Sequence, residues 1–489
     1  MQKLKVSENK RYFVLEDGTP FVWLADTAWT MPQRMKWDDA DYYMQTRKSQ
    51  GFTVLQIVAL DPERDVQMRN PSGNKALIND DLNQPNEKYF EYLDWILDQA
   101  ESYGFYVLLL PVWGQLVVGD DWGGGTYEKT VTLENAFAYG EWIGRRYGHR
   151  NNVVWCLGGD RQPIHKGVDY RPVWREMAEG LAKGITGIRP KYNEDHPVWD
   201  QLLITYHACH EMETGECSTF SYWTDEDRWI RFIMLQSGHG TKPKNYELVR
   251  KAYERERTMP VWDGEPAYEM MPTAWPPKDG AVHGCHMVRK RAYWSLLSGA
   301  FGHTYGHASV WCSVAQKERN GFTPVDWFDA IHSEGSAQMK VLRDFMESMK
   351  LWMSVPCQER VCMHGPDELD YHIQASVHNN GRYVCAYLPC GGTVTLDLKG
   401  LKKDYYIWWM NPVNGSFESS MASDRQALVF EPVKALPDAD GCVTLTAPVR
   451  DGDNDWVLIL HEDGEHPPVG CGDYGENPDI ANAKKIFNW

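Results

Sequence analysis

Through the first two thirds of the chain, short apolar runs alternate with amphipathic stretches. Phe21 to Ala25 reads as a strand. From about Asp38, the residues Ala40, Tyr43 and Met44 fall on one helical face, and Gly51 is placed to end that helix. Thr53 to Val58 is the next strand candidate. Phe90, Leu93, Leu97 and Ala100 then recur at three- and four-residue steps before Gly104, and Tyr106 to Leu110 follows as a nearly continuous apolar run. A parallel strand buried on both faces needs such a run.

The alternation repeats. Leu133, Ala136, Phe137, Gly140 and Ile143 mark a helix before the strand Val153 to Leu157, and Val173, Trp174, Met177, Ala178 and Leu181 mark another before Leu202 to Tyr206. Phe232 to Leu235, Val261 to Asp263 and Gly302 to Tyr305 complete the strands, with helical patterns around 244–256 and 284–298. Eight βα units over roughly 330 residues predict an α/β fold, a (β/α)8 TIM barrel with long loops. A doubly wound sheet is the alternative, but no Gly-x-Gly-x-x-Gly follows the first strand to favour it.

Past Pro356 the pattern changes to short alternating runs at His372–Val377, Tyr383–Leu388, Thr393–Leu398, Tyr405–Met410, Cys442–Thr446 and Trp456–His461. Turn signals such as Asn379-Asn380-Gly381 and Asn414-Gly415 separate them, which predicts a small antiparallel β-sandwich. The expected division is therefore a barrel over 1–355, a sandwich over 356–465 and a surface or disordered tail over 466–489.

Composition narrows the function classes. Fifty basic against 68 acidic residues leave a net charge of −18, which argues against nucleic acid or an acidic membrane face as partner. The apolar runs fall far short of the roughly 20 residues that span a bilayer. Eleven scattered cysteines without a Cys-x-x-Cys suggest neither a disulfide framework nor a zinc ribbon. The opening Met-Gln-Lys-Leu-Lys-Val carries no apolar signal core, so the expectation is cytoplasmic, or periplasmic or secreted if a leader was trimmed. Trp and Tyr number 22 and 25 against 15 Phe, an excess of the aromatic residues that combine a stacking face with a polar handle.

In a barrel of this kind chemistry gathers at the C-terminal ends of the strands. The residues just after the eight runs are Asp26, Asp61, Trp113, Asp160, His207, Gln236 with His239, Glu265, and His303 with His307; the opposite ends begin with Thr, Phe, Asn, Leu and Pro. Asp160 follows Gly158-Gly159 after the fourth strand, and Glu265 follows Asp263-Gly264 after the seventh. Fourth and seventh strands face each other across a barrel, so these carboxylates can converge on one bond, as glycoside hydrolysis requires. The competing reading is that each caps a helix or pairs with Arg161 or Arg289. His303 with His307, and His283 with His286, invite a metal reading, but their spacing is not specific. Tyr206, His207, Gln236 and His239 read as donors to sugar hydroxyls. Trp113, Trp122, Trp223, Trp275 and Trp311 are placed to stack on sugar faces or simply to fill loops.

Six segments in order, Gly18–Trp29, Gly51–Gln56, Leu157–Asp160, Leu203–His207, Met234–His239 and Asp263–Pro266, resemble the apiosidase-like barrel family, which contains glycoside hydrolase family 140. The sandwich looks like the small domain that accompanies it, labelled collagen-binding. The resemblance implies a retaining glycosidase acting without cofactor or metal on a glycan, with apiose on pectic side chains as the family's characterised target. It implies Asp160 as acid/base and Glu265 as nucleophile. Asp26, Trp29, Gln56, Trp113, Tyr206, His207, Gln236, His239, His303, His307 and Trp311 are expected to bind substrate. The wider clan places Asn-Glu where this chain has Gly159-Asp160, so its acid reaches less far. A non-catalytic carbohydrate-binding protein and a His-rich metallohydrolase stay open as rivals.

Overall fold

The computed structural model describes all residues except 63–67, 121–125, 127, 212, 242–243, 275–276, 316–322, 324, 364–368, 402–403, 419–432, 465–467 and 470–489. Trp122, Trp275 and nearly all of the tail expected from His466 lie outside the described residues. The chain forms two compact units, Met1–Arg291 with Ala300–Met339, and Ala292–Gly299 with Lys340–Trp489.

The first unit is the barrel. Its strands are β1 Trp23–Thr27, β2 Val54–Val58, β3 Tyr106–Leu110, β4 Val153–Gly158, β5 Ile204–His207, β6 Ile233–Leu235, β7 Val261–Asp263 and β8 Gly302–Tyr305. All pairings among them are parallel, and nearly every strand residue is buried, as expected of a sheet covered on both faces. Helices α1 Trp37–Ser49, α2 Glu87–Ser102, α3 Ala136–Tyr147, α4 Arg171–Thr186, α5 Asn245–Tyr253, α6 Cys285–Leu297 and α7 Glu334–Ser348 follow in chain order, with α6 from Ala292 and α7 from Lys340 counted in the second unit. The first strand begins two residues later than the apolar run suggested, because Pro20–Phe21 instead pairs antiparallel with Phe13–Val14 in a separate small sheet. Leu133, expected on the third helix, is exposed ahead of it.

One end of the barrel is closed by aromatics. Trp23 meets Phe13 and Trp262 edge-on, each at a ring separation of 5.6 Å. Inside the barrel a polar layer crosses it: Gln56 donates to Gly264 O at 3.1 Å and accepts from Thr304 Oγ1 at 3.0 Å, and Trp262 Nε1 donates to the same Thr304 oxygen.

Among the described residues the ladder runs from β5 through β4, β3, β2, β1, β8 and β7 to β6, with β5 and β6 at its two ends. Their seam is joined by other means. Arg231 N donates to Ile204 O at 2.9 Å, Thr205 Oγ1 donates to Phe232 O at 2.6 Å, and Thr219 Oγ1 donates to Tyr206 O at 2.8 Å while accepting from Met234 N at 3.0 Å. A 3-10 turn, Thr219–Ser221, occupies the place of a helix here, so the fifth repeat departs from the eight full βα units the periodicity implied.

The second unit is the sandwich. Strands β9 Ser354–Pro356, β10 Val361–Met363, β11 Gln374–His378, β12 Tyr383–Leu388, β13 Thr393–Asp397, β14 Tyr406–Met410, β15 Phe417–Glu418, β16 Cys442–Thr446 and β17 Trp456–His461 form two antiparallel sheets. Their orders are β9-β11-β12-β17-β14-β15 and β10-β13-β16. Val384, Ala386 and Leu388 of β12 enter a core with Val394, Leu396, Trp409 and Leu458. The alternate residue Tyr387 stacks on Tyr293 at 4.9 Å, so β12 is buried on both faces.

Candidate active site

The fourth strand ends in three consecutive left-handed residues, with φ of 87° at Gly158, 115° at Gly159 and 52° at Asp160. Side chains have no room at the first two. A Cβ on Gly158 would lie 2.4 Å from His207 O, and one on Gly159 would lie 2.8 Å from Trp113 Cε3. Gly159→Ala is therefore expected to cost on the order of 1–3 kcal/mol from backbone strain alone, measured as a lowered midpoint in thermal unfolding.

This turn brings Asp160 to the end of β5 and into reach of β6. Its main-chain N donates to His207 Nδ1 at 2.7 Å, and its Oδ1 accepts from Gln236 Nε2 at 2.7 Å. The guanidinium of Arg161 stands 3.6 Å from Oδ2. From the opposite side, β7 and Gly264 deliver Glu265. His207 Nε2 lies 2.7 Å from Glu265 Oε2, and His239 Nε2 lies 3.4 Å from Oε1. Beneath it, Asp263 accepts from Ser237 N at 3.1 Å, Ser237 Oγ at 2.7 Å and Asn245 Nδ2 at 3.1 Å, which ties the end of β7 to the β6 loop.

The two carboxyl groups differ electrostatically. Burial pushes Asp160 up, the charge of Glu265 pushes it further, and Arg161, His207 and Gln236 offset this only in part, so Asp160 sits above its ordinary value. Burial also acts on Glu265, but the hydrogen bonds it accepts from His207 and His239 outweigh it and hold this carboxyl below the usual range. Asp160 keeps 18% of its side chain exposed and Glu265 8%.

Aromatic rings wall the site. Trp29 and Trp113 lie 5.5 and 5.6 Å from the His207 ring and 5.4 Å from each other. Trp29 Nε1 donates at 3.0 Å to Tyr268 Oη, and the Tyr268 ring packs on His239 at 4.4 Å. Burial, then the charge of Glu265, raises the Tyr268 phenol well above its ordinary value. Tyr268 was not among the residues singled out from sequence; its signal is its place three residues after Glu265 on the same loop. Trp311 is half-buried beside Tyr268 and Met271.

Other expected substrate contacts lie elsewhere. Asp26 is fully buried, paired with Arg47 Nε at 2.6 Å and hydrogen-bonded by Tyr43. Gln56 is spent inside the barrel, and Tyr206 donates at 2.9 Å to Arg161 O. His303 is fully buried, and desolvation lowers it to about 3. His307 is also buried, with Nδ1 accepting from Ser309 N at 3.0 Å. These five side chains are committed to the interior. Trp223 packs edge-on against Tyr206 and Trp229, which is loop filling. Among the described residues no group of three or more His, Cys, Asp or Glu is arranged to hold a metal ion. Nor, among them, is any helix long and apolar enough to cross a membrane.

A profile of the family described as "Apiosidase-like, catalytic domain" matches residues 7–353, and one described as "Putative collagen-binding domain of a collagenase" matches 355–461. A solved structure called "Glycoside hydrolase" is 26% identical, with a TM-score of 0.76 over 96% of this chain and 98% of its own. A glycoside hydrolase family 5 protein from Bacteroides vulgatus is 25% identical, with a TM-score of 0.75 over 100% of this chain and 98% of its own. A search of curated proteins returns no match.

Proposed function

The chain belongs to the apiosidase-like catalytic family, a glycoside hydrolase group, and from that premise we propose that it cleaves plant cell-wall pectic oligosaccharides with retention of configuration. Glu265 is the nucleophile and Asp160 the acid/base. The observation that carries this reading is the opposed environment of the two carboxyls: one held below the usual carboxylate range by hydrogen bonds from two imidazoles, the other pushed above it by burial and by its neighbour's charge. The pectic substrate rests on the apiosidase-like family description.

In the first step a carboxylate oxygen of Glu265 bonds to the anomeric carbon as the glycosidic C–O bond breaks, and the Asp160 proton passes to the departing oxygen. Esterified Glu265 carries no charge, so its share of the shift that raised Asp160 disappears, the Asp160 carboxyl becomes more acidic, and having given up its proton it serves as the base. It then takes a proton from water, whose oxygen displaces Glu265 from the anomeric carbon. Two inversions give net retention. Proton NMR of the first product released from a panel of pectic oligosaccharides tests the reading. Retained configuration is expected; an inverted first product would end the mechanism, and cleavage confined to non-pectic glycans would end the substrate assignment.

The same electrostatics predict a pH dependence. Activity needs Glu265 ionised and Asp160 protonated, so it should fall below the depressed value of Glu265 and again as pH rises through the elevated value of Asp160. In Glu265→Gln the charge that raises Asp160 is gone, and the Asp160 carboxyl carbon should titrate at lower pH by 13C NMR than in the wild type. An unchanged titration would remove the electrostatic basis for the two roles.

A further inference from the structure

We propose that His207 is a positioning residue that couples the Asp160 turn to Glu265, with its ring held as the Nε2–H tautomer by the main chain of Asp160. The proposal rests on the reading in which Glu265 is the nucleophile.

A main-chain amide can only donate. At 2.7 Å from Asp160 N, His207 Nδ1 must therefore present its lone pair. A neutral imidazole has one proton left to place, and it goes to Nε2, which faces Glu265 Oε2 at 2.7 Å. The other tautomer would set two donors against each other at one end of the ring and a lone pair against a carboxylate at the other. An imidazolium would keep the first of these conflicts. The choice is thus made by the backbone, through the three left-handed residues that aim the Asp160 amide at the end of β5.

The ring has no freedom to escape. His207 is fully buried, and the Trp29 and Trp113 rings lie against it. The other groups facing Glu265 are His239 from the loop after β6, Tyr268 from its own loop, and Asp160 backed by Arg161 and the Cys209 thiol. Of the two histidines, only His207 also touches the residue that supplies the proton. A displacement of the Asp160 turn therefore reaches the nucleophile through one rigid ring.

Two substitutions separate the ends of that ring. His207→Asn keeps an acceptor near the Nδ1 position and provides nothing near Nε2, whereas His207→Gln reaches the Nε2 position with a donor and leaves the Asp160 amide unmet. In His207→Asn, kcat should fall roughly 10- to 100-fold with KM little changed, and the acidic limb of kcat/KM should move upward by about one pH unit or more. In His207→Gln the acidic limb should stay near that of the wild type. Equal losses in both variants with an unmoved limb would show that the ring only fills space, and would overturn the proposal. The folded wild type supplies an independent measurement, the 15N chemical shifts of the His207 ring. A proton on Nε2 and none on Nδ1 is expected; a proton on Nδ1 would overturn the proposal even if no variant folds. Should Glu265→Gln retain turnover, the nucleophile assignment fails, while the ring's tautomer is still read directly.

Discussion

Glu265→Gln should reduce turnover of every glycoside, natural or activated, by on the order of 10⁵-fold. The amide cannot form the covalent intermediate, whatever the leaving group. It also disturbs the site, because the carboxylate faces His207 and His239 together whereas an amide has a single oxygen to offer two donors. Azide supplied to this variant with an activated aryl glycoside can enter only where the carboxylate attacked. The product should be a glycosyl azide of inverted configuration, identified by NMR. A retained azide product would show that Glu265 is the acid/base and that the two roles are exchanged.

Asp160→Asn should cost roughly 10²- to 10⁴-fold on natural glycosides, where the leaving oxygen needs a proton. On an aryl glycoside whose phenolate departs unprotonated, the first step should be nearly unaffected, and the covalent intermediate should accumulate because no base remains to activate water. A burst of phenol followed by a slow steady rate is the expected trace. Azide needs no base, so it should restore the steady rate and give a glycosyl azide of retained configuration. Equal losses on both substrates, with no burst and no rescue, would mean that Asp160 does not act as the acid/base.

The barrel was legible because its strands are covered on both faces and so appear as unbroken apolar runs, Tyr106–Leu110 most clearly. The meeting of Asp160 and Glu265 at His207 was legible because a glycine turn followed by a carboxylate marks a strand end turned toward the barrel mouth. What failed was the side of the sheet. Asp26 and Thr27 are neighbours, yet Thr27 faces Tyr268 and the site while Asp26 faces Tyr43 and Arg47. His303 and Thr304 stand in the same relation, Thr304 meeting Gln56 inside the barrel. Side chains alternate with a period of two, and a boundary uncertain by one or two residues cannot say which of two neighbours points inward. The contact between Trp29 and Tyr268 joins residues far apart in sequence, and no local pattern carries it.

The seam between β5 and β6 has a consequence for how the barrel opens. Across the other pairings the strands are joined by parallel ladders; across this seam, Met234 N relies on the hydroxyl of Thr219. A hydroxyl borrowed from a short turn gives less protection than a neighbouring strand backed by a helix. Hydrogen exchange at Met234 should accordingly be faster than at Val107 or Leu55 in the middle of the sheet, and Thr219→Val should accelerate it further. The strands on either side end in His207 and lead to Gln236, which between them hold Asp160. A break in the ladder thus runs directly beneath Asp160, so heat should loosen the contacts of Asp160 with His207 and Gln236 before the barrel itself melts.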